Sequence, residues 1–143
     1  MKIRKRLAKV KPSQLVGNDP SNPYAGGLVD ETTPEFVRNT ALIADVMDGR
    51  RPSHVRNVAV ADLVVEQPPV LVGARRVVRE NPSLVEILRD IRAGGDPWAV
   101  YRGEDGNLVM FDDYNAYAAA ELDKVQRVNV VVYGEAMPDI ETA

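Results

Sequence analysis

Asn81-Pro82-Ser83-Leu84-Val85-Glu86-Ile87-Leu88-Arg89-Asp90-Ile91-Arg92-Ala93-Gly94-Gly95 is the stretch from which the fold is read. Asn81 suits an N-cap, and Pro82 suits the first helical position, where a missing N–H costs nothing. Leu84, Ile87, Leu88 and Ile91 recur at i, i+3, i+4 and i+7, so one face of the helix is apolar. Arg89 and Arg92 stand near its end, where cations suit the helix dipole. Gly94-Gly95 stops it. After Asp96-Pro97, Trp98-Ala99-Val100-Tyr101-Arg102 reads as a strand and Gly103 to Gly106 as a turn. Asn107-Leu108-Val109-Met110-Phe111 is the returning strand of a hairpin.

Toward the C-terminus, Asp112 or Asp113 caps a helix running to about Asp123, with Tyr114, Ala118 and Leu122 on one side. Val128 to Tyr133 is a last, buried strand, and Gly134 to Ala143 a short acidic tail. Toward the N-terminus, Asn57 to Val65 has the β-branched content of a strand, and Gln67-Pro68-Pro69 breaks it. Val70-Leu71-Val72 reads as a short second strand, while Gly73 to Glu80 favours neither state. Earlier still, Thr33 and Pro34 open a helix with Phe36, Thr40, Ile43 and Met47 on one stripe and Leu42 and Val46 beside it. Gly49 ends it. Arg50 to Arg56 is a basic connector, read as a solvated loop in preference to an anion site.

Residues 12–30 are crowded with breakers: Pro12, Gly17, Asn18-Asp19-Pro20, Asn22-Pro23 and Gly26-Gly27. No hydrophobic periodicity runs through them, so they read as an extended arm or loop. The expected organisation is a basic, Pro/Gly-rich arm over 1–30, a helix and connector over 31–54, a domain over 55–135 and an acidic tail over 136–143. The fold class is α+β, a small mixed sheet with packed helices.

Composition narrows the chemistry. A chain of 143 residues can bury a core without staples. With no cysteine, disulfides, thiolate metal sites and a cysteine nucleophile are excluded. His54 is the only histidine, too few for a histidine-based zinc site. A magnesium or calcium site made of carboxylates stays open. No apolar run approaches the roughly 18 residues of a membrane span, and no long apolar stretch follows the basic start. A cytoplasmic location, or one inside a macromolecular assembly, is expected, with neither secretion nor a membrane partner.

Charge is unevenly spread. Lys2, Arg4, Lys5, Arg6, Lys9 and Lys11 place six positive charges in residues 1–11 with no acid. Since the whole chain carries −3, the remainder carries −9. A basic tail on an acidic body suggests an electrostatic contact with nucleic acid, another copy or another protein. The bland reading, a solvated terminus with no specific partner, weighs equally.

The order strand, helix, hairpin, helix, strand over residues 55–135 resembles the ParB/sulfiredoxin-like domains. Val58 to Gln67 resembles their opening strand, which leads into a loop and a helix. Ile91 to Val100 is similar to the segment in which a helix ends in glycine and an apolar strand begins. Leu108 to Ala120 is similar to a strand ending in Asp-Gly, followed by a helix with histidine, arginine and small residues. Arg127 to Tyr133 matches the closing strand. The resemblance covers a little over half the chain and rests on pattern more than on invariant letters.

Departures from that family are concentrated at one junction. In active members, the residues after the aspartate supply glycine, histidine or arginine for phosphate chemistry. Here Asp113 stands in the glycine place, Tyr114 and Asn115 in the polar places, and Ala116 near the arginine place. Glycine lets a backbone approach phosphate, whereas Asp113 adds a side chain and a negative charge. The sulfiredoxin cysteine is missing. The resemblance therefore implies a degenerate domain without its catalytic motif.

Other chemistry is weighed residue by residue. Asp112, Asp113 and Glu121 are candidates for a divalent cation, but carboxylates at a helix start are more often caps. Trp98, Tyr101, Tyr114 and Tyr117 are candidates for base stacking, but aromatics at such spacing are more often core. His54 has no acid or nucleophile near it in sequence.

The leading expectation is a non-catalytic binding or scaffolding module. Its partners are other protein chains, in a homo- or hetero-oligomer reached through the arm. By analogy from the resemblance alone, the assembly is of the kind found in a bacteriophage particle or a plasmid-type complex. No cofactor is expected. The contact residues are Lys2, Arg4, Lys5, Arg6, Lys9, Lys11, Arg50 and Arg51. A second expectation is a nucleic-acid-binding protein that uses the basic N-terminus, with Arg56, Arg75, Arg76 and Arg79 added to Arg50 and Arg51 as a further basic surface. A residual nucleotide-dependent enzyme is the third.

Overall fold

The computed structural model describes residues 29–138. The basic segment Lys2 to Lys11, nearly all of the arm and the last five residues of the tail lie outside these. In chain order the elements are α1 (Pro34–Met47), β1 (Ser53–Ala59), a 3-10 turn (Val60–Asp62), β2 (Leu63–Val65), α2 (Pro68–Glu80), α3 (Pro82–Ala93), β3 (Trp98–Arg102), β4 (Leu108–Met110), α4 (Tyr114–Leu122) and β5 (Arg127–Tyr133). The strands form one mixed sheet in the order β1-β5-β3-β4-β2. Pairing is antiparallel for β1 with β5 and β3 with β4, and parallel for β3 with β5 and β2 with β4. The fold class is α+β, as the sequence predicts.

Strand alternation sorts the core. Trp98 and Val100 of β3, Leu108 and Met110 of β4, and Val128, Val130 and Val132 of β5 share one buried cluster. The same cluster takes Leu71, Ala74, Val77 and Val78 of α2, Leu84, Val85, Leu88 and Ile91 of α3, and Ala116, Ala118, Ala119 and Ala120 of α4. The run of alanines makes α4 thin, and both α2 and α3 pack against it. Tyr101, Phe111 and Tyr133 belong to the alternate register. Their rings chain together, with centroids 5.7 Å apart for Tyr101–Phe111 and 5.8 Å for Phe111–Tyr133. The first helix meets this side at Tyr101, where the Arg38 guanidinium lies 5.1 Å from the ring centroid.

Topology imposes a curl. The two outer strands, β1 and β2, are consecutive in the chain and joined only by Val60–Asp62. Four interstrand steps of about 4.8 Å would separate them by about 19 Å in a flat sheet. The chain from Ala59 to Leu63 reaches about 14 Å at most. The sheet must therefore coil until its edges approach, leaving a seam between β1 and β2 that the 3-10 turn crosses. The Val60 N–H donates to Gln126 O at 2.9 Å and pins the crossing to the start of β5.

Several local expectations need correction. Ser53 to Arg56 are not a solvated connector: they open β1, because β5 offers a partner to each residue from Ser53↔Tyr133 to Ala59↔Arg127. The strand expected over Asn57 to Val65 breaks at Val60–Asp62, where the chain crosses the seam. Val70 to Val72 are helical, not a strand. Pro68 and Pro69 start α2 instead of breaking it, since a proline in the first turn lacks only an N–H that has no helical acceptor. Leu71, Ala74, Val77 and Val78 then make one helical face and settle the undecided stretch. In α1, Thr33 caps Phe36 N at 3.2 Å as expected. The stripe is turned, however: Thr40 and Met47 are exposed, and Asn39 is the buried residue. Asn81 opens α3 with its backbone carbonyl, while its side chain donates back to Val77 O at 2.7 Å. None of the described helices is long and apolar enough to cross a membrane.

Candidate functional site

The β4–α4 junction carries the acids singled out by sequence. Asp113 has φ 67° and ψ 31°, the left-handed region that glycine enters freely and aspartate tolerates. Its side chain does not cap α4. Oδ2 instead accepts the Ala99 N–H of β3 at 3.0 Å, while Asp112 Oδ1 accepts the Asp113 N–H at 2.8 Å. The carboxylate expected to cap a helix thus stitches the junction to the sheet. Next to it, Tyr114 is buried in the core, and its hydroxyl accepts the Gln67 N–H at 2.8 Å. Burial pushes the Tyr114 phenol above its usual range. Gln67 Nε2 and Asn115 Oδ1 are buried without a hydrogen-bond partner.

Glu121 does not join the two aspartates. Arg75 holds it in a bidentate pair, Nε to Oε1 and Nη2 to Oε2, both at 2.9 Å. Among the described residues no group of three histidine or acidic side chains could hold a metal ion. Trp98 and Tyr114 lie in the core, and the Tyr117 ring lies 5.8 Å from that of Trp98. The fourth aromatic, Tyr101, belongs to a polar network.

That network centres on Glu66, just beyond β2, whose side chain is only 8% exposed. It accepts hydrogen bonds from Asn39 Nδ2 at 2.8 Å, from the Tyr101 hydroxyl and from Arg38. A buried carboxylate is tolerated only when paired and fully hydrogen-bonded. Here the partners come from α1 and β3, so the charge ties the first helix to the sheet. Burial, with the Glu66 carboxylate beside it, pushes the Tyr101 phenol up to about 12.

A second network joins the ends of three strands. The His54 side chain, 3% exposed, places Nε2 2.8 Å from Glu135 Oε2. Arg102 Nε donates to Glu135 Oε1 at 2.6 Å, and Arg102 Nη1 to Gly106 O at 2.8 Å. Arg102 chiefly, with His54 as a lesser cause, holds the Glu135 carboxyl down at about 2. His54 therefore gains an acid partner that no local reading of the sequence supplies.

The expected contact residues are dispersed. Arg50 lies 3.8 Å from Asp45 and 3.9 Å from Asp48. Arg51 lies over Gly134, donating to its carbonyl at 3.4 Å. Gly134 has φ +84°, a conformation that favours glycine, and its missing Cβ leaves room for the Arg51 guanidinium. Arg75 is taken by Glu121. Arg56, Arg76 and Arg79 are exposed and have no acidic partner among the described residues. Lys2, Arg4, Lys5, Arg6, Lys9 and Lys11 lie outside the described residues.

Open clefts lined by the described residues include two of similar size. One, of about 640 Å³, lies between α1 and the ends of β3 and β5, beside Arg51, Tyr101 and Tyr133. The other, of about 630 Å³, lies in the seam and is lined by Arg56, Arg102 and Arg127. Comparison with known protein families and with curated proteins finds no match.

The Glu135 network has a pH signature. Its folded-state carboxyl is depressed to about 2 from an ordinary 4.5, so its stabilisation is complete above about 4.5 and is lost as pH falls toward 2. Glu135→Gln is expected to cost roughly 1–2 kcal/mol at neutral pH, as for a charged hydrogen bond. The difference from the parent should shrink toward zero near pH 2. Urea unfolding across that range checks it, and a difference independent of pH would contradict the assignment.

Proposed function

We propose that the chain is a non-catalytic binding or scaffolding module that joins a larger assembly through its N-terminal arm, with other protein chains as its partners. The observation that carries this reading is how the reactive-looking side chains are used. Asp113 holds a strand N–H, Glu121 is clamped by Arg75, and His54 is enclosed beside Glu135. A catalytic acid or base has to reach a substrate and exchange a proton with it. These groups stabilise the fold instead.

The element sequence β2, α2, α3, β3, β4, α4, β5 supports a degenerate ParB/sulfiredoxin-like domain as the body of the module. In that comparison the left-handed Asp113 occupies the glycine place and brings a negative charge where a phosphate would lie. Partner binding then falls to the arm, where six cations on a body of opposite sign favour a second copy or another acidic protein. A bacteriophage particle or a plasmid-type complex is the kind of assembly to which such a component would belong.

Sedimentation velocity of the full chain tests this. Association is expected at low ionic strength, weakening as salt screens the arm, and lost when the six basic residues from Lys2 to Lys11 become alanine. A monomer at every salt concentration would count against self-assembly through the arm.

A second reading, nucleic-acid binding, is favoured by Arg56, Arg76 and Arg79, whose charges no described acid neutralises. It predicts affinity for DNA that falls steeply with salt. A low-salt gel shift showing no complex, with and without residues 1–11, would remove it.

A further inference from the structure

We propose that the seam between β1 and β2 is a phosphate-binding site, separate from the β4–α4 junction. Three arginines from three different strands line it: Arg56 of β1, Arg102 of β3 and Arg127 of β5, with Asn57 and Asn107 beside them. Asp62 is the only acid in the lining. Nothing local in the sequence groups these residues. The curl of the sheet brings its two outer strands to the same cleft.

The three guanidinium groups are differently held, and the difference matters. Arg102 is fixed by Glu135 and by Gly106 O, which satisfies part of its charge. Arg127 is fixed by a neutral group, Nε to Asn57 Oδ1 at 2.7 Å and Nη2 to Asn57 O at 3.1 Å. Its orientation is set while its charge remains uncompensated by an acid. Arg56 has no acidic partner among the described residues. An arginine already oriented by the protein loses less entropy on gripping an anion, and its planar fork matches phosphate oxygens. Most other arginines of the body are spent on acids: Arg38 on Glu66, Arg75 on Glu121, and Arg89 and Arg92 on Asp123. Against that background the seam keeps two arginines, Arg56 and Arg127, that no described acid pairs with, beside one acid, Asp62, in its lining.

Size and lining narrow the ligand class. About 630 Å³ falls within the range of small-molecule sites. No aromatic side chain lines the cleft, so a nucleobase would find no stacking platform there. The groups present recognise the phosphate itself. A free polyphosphate and the phosphodiester backbone of a nucleic acid share that chemistry.

Amide-resolved NMR of the full chain at low salt tests the site, with inorganic pyrophosphate as the probe. Pyrophosphate is expected to shift the amide resonances of Asn57, Val58 and Asn107. Arg56→Gln should weaken binding roughly tenfold, the value of one charge-assisted hydrogen bond. Arg89→Gln on α3, whose charge is already taken by Asp123, should leave it unchanged. Because Arg56 makes no ion pair with the described residues, its variant is expected to fold. Asn107→Asp, which adds a negative charge at the rim beside Asp105, should weaken binding in the same sense, and a thermal melt of each variant checks that it folds. Unmoved amides at millimolar pyrophosphate, or wild-type affinity in both Arg56→Gln and Asn107→Asp, would overturn the proposal. A parallel titration with single-stranded octathymidylate identifies the source. Shifts at the same amides, reversed by pyrophosphate, assign the cleft to a nucleic-acid backbone. Pyrophosphate shifts without oligonucleotide shifts assign it to a free polyphosphate.

Discussion

The three residues Val60–Asp62 constrain everything around them. They join strands that stand at opposite ends of the sheet order, and a chain that short cannot cross a flat sheet. Coiling follows from length alone. It places Arg56 and Arg127 near Arg102, though they are far apart in sequence, and opens a cleft where a flat sheet would have two free edges. It also sets the point at which β2 ends, and so where Glu66 meets Asn39 and Tyr101. One short connection thereby positions both the seam and the attachment of the first helix.

Charge inside this body is handled by pairing. Glu66 sits where an uncompensated charge would cost several kcal/mol, and partners from other elements meet it, while the buried His54 ring meets Glu135. The same habit occupies two of the candidate cation ligands. Asp113 accepts a backbone N–H, and Glu121 completes an ion pair between α2 and α4. Among the described residues, cations that no described acid meets include Arg76 and Arg79 on the outer side of α2 and Arg56 and Arg127 in the seam. A net acidic chain can therefore present basic surfaces, because its acids are partly consumed internally.

The parts legible in the sequence were those whose signal is local. The apolar period of Leu84, Ile87, Leu88 and Ile91, the hairpin around Gly103 to Gly106, and the β-branched run at β5 each form where they were expected. Illegible parts depended on partners distant in sequence. Ser53 to Arg56 extend because β5 is beside them, and Asp113 turns its carboxylate toward β3 because Ala99 N lies within reach. For α2 the signal was present but masked: the proline pair suggests a break unless it is recognised as a first turn. The networks around Glu66 and Glu135 had no local signal, since each gathers residues some tens of positions apart.

The central claim is that the β4–α4 junction is architecture and does no chemistry. Phosphorus NMR of the full chain with CTP or ATP and magnesium, followed over hours, addresses it directly. The account predicts that the nucleotide resonances persist, even if they shift through binding at the seam. Hydrolysis of either nucleotide by the parent chain, lost on Asp113→Asn in a protein that still folds, would contradict it.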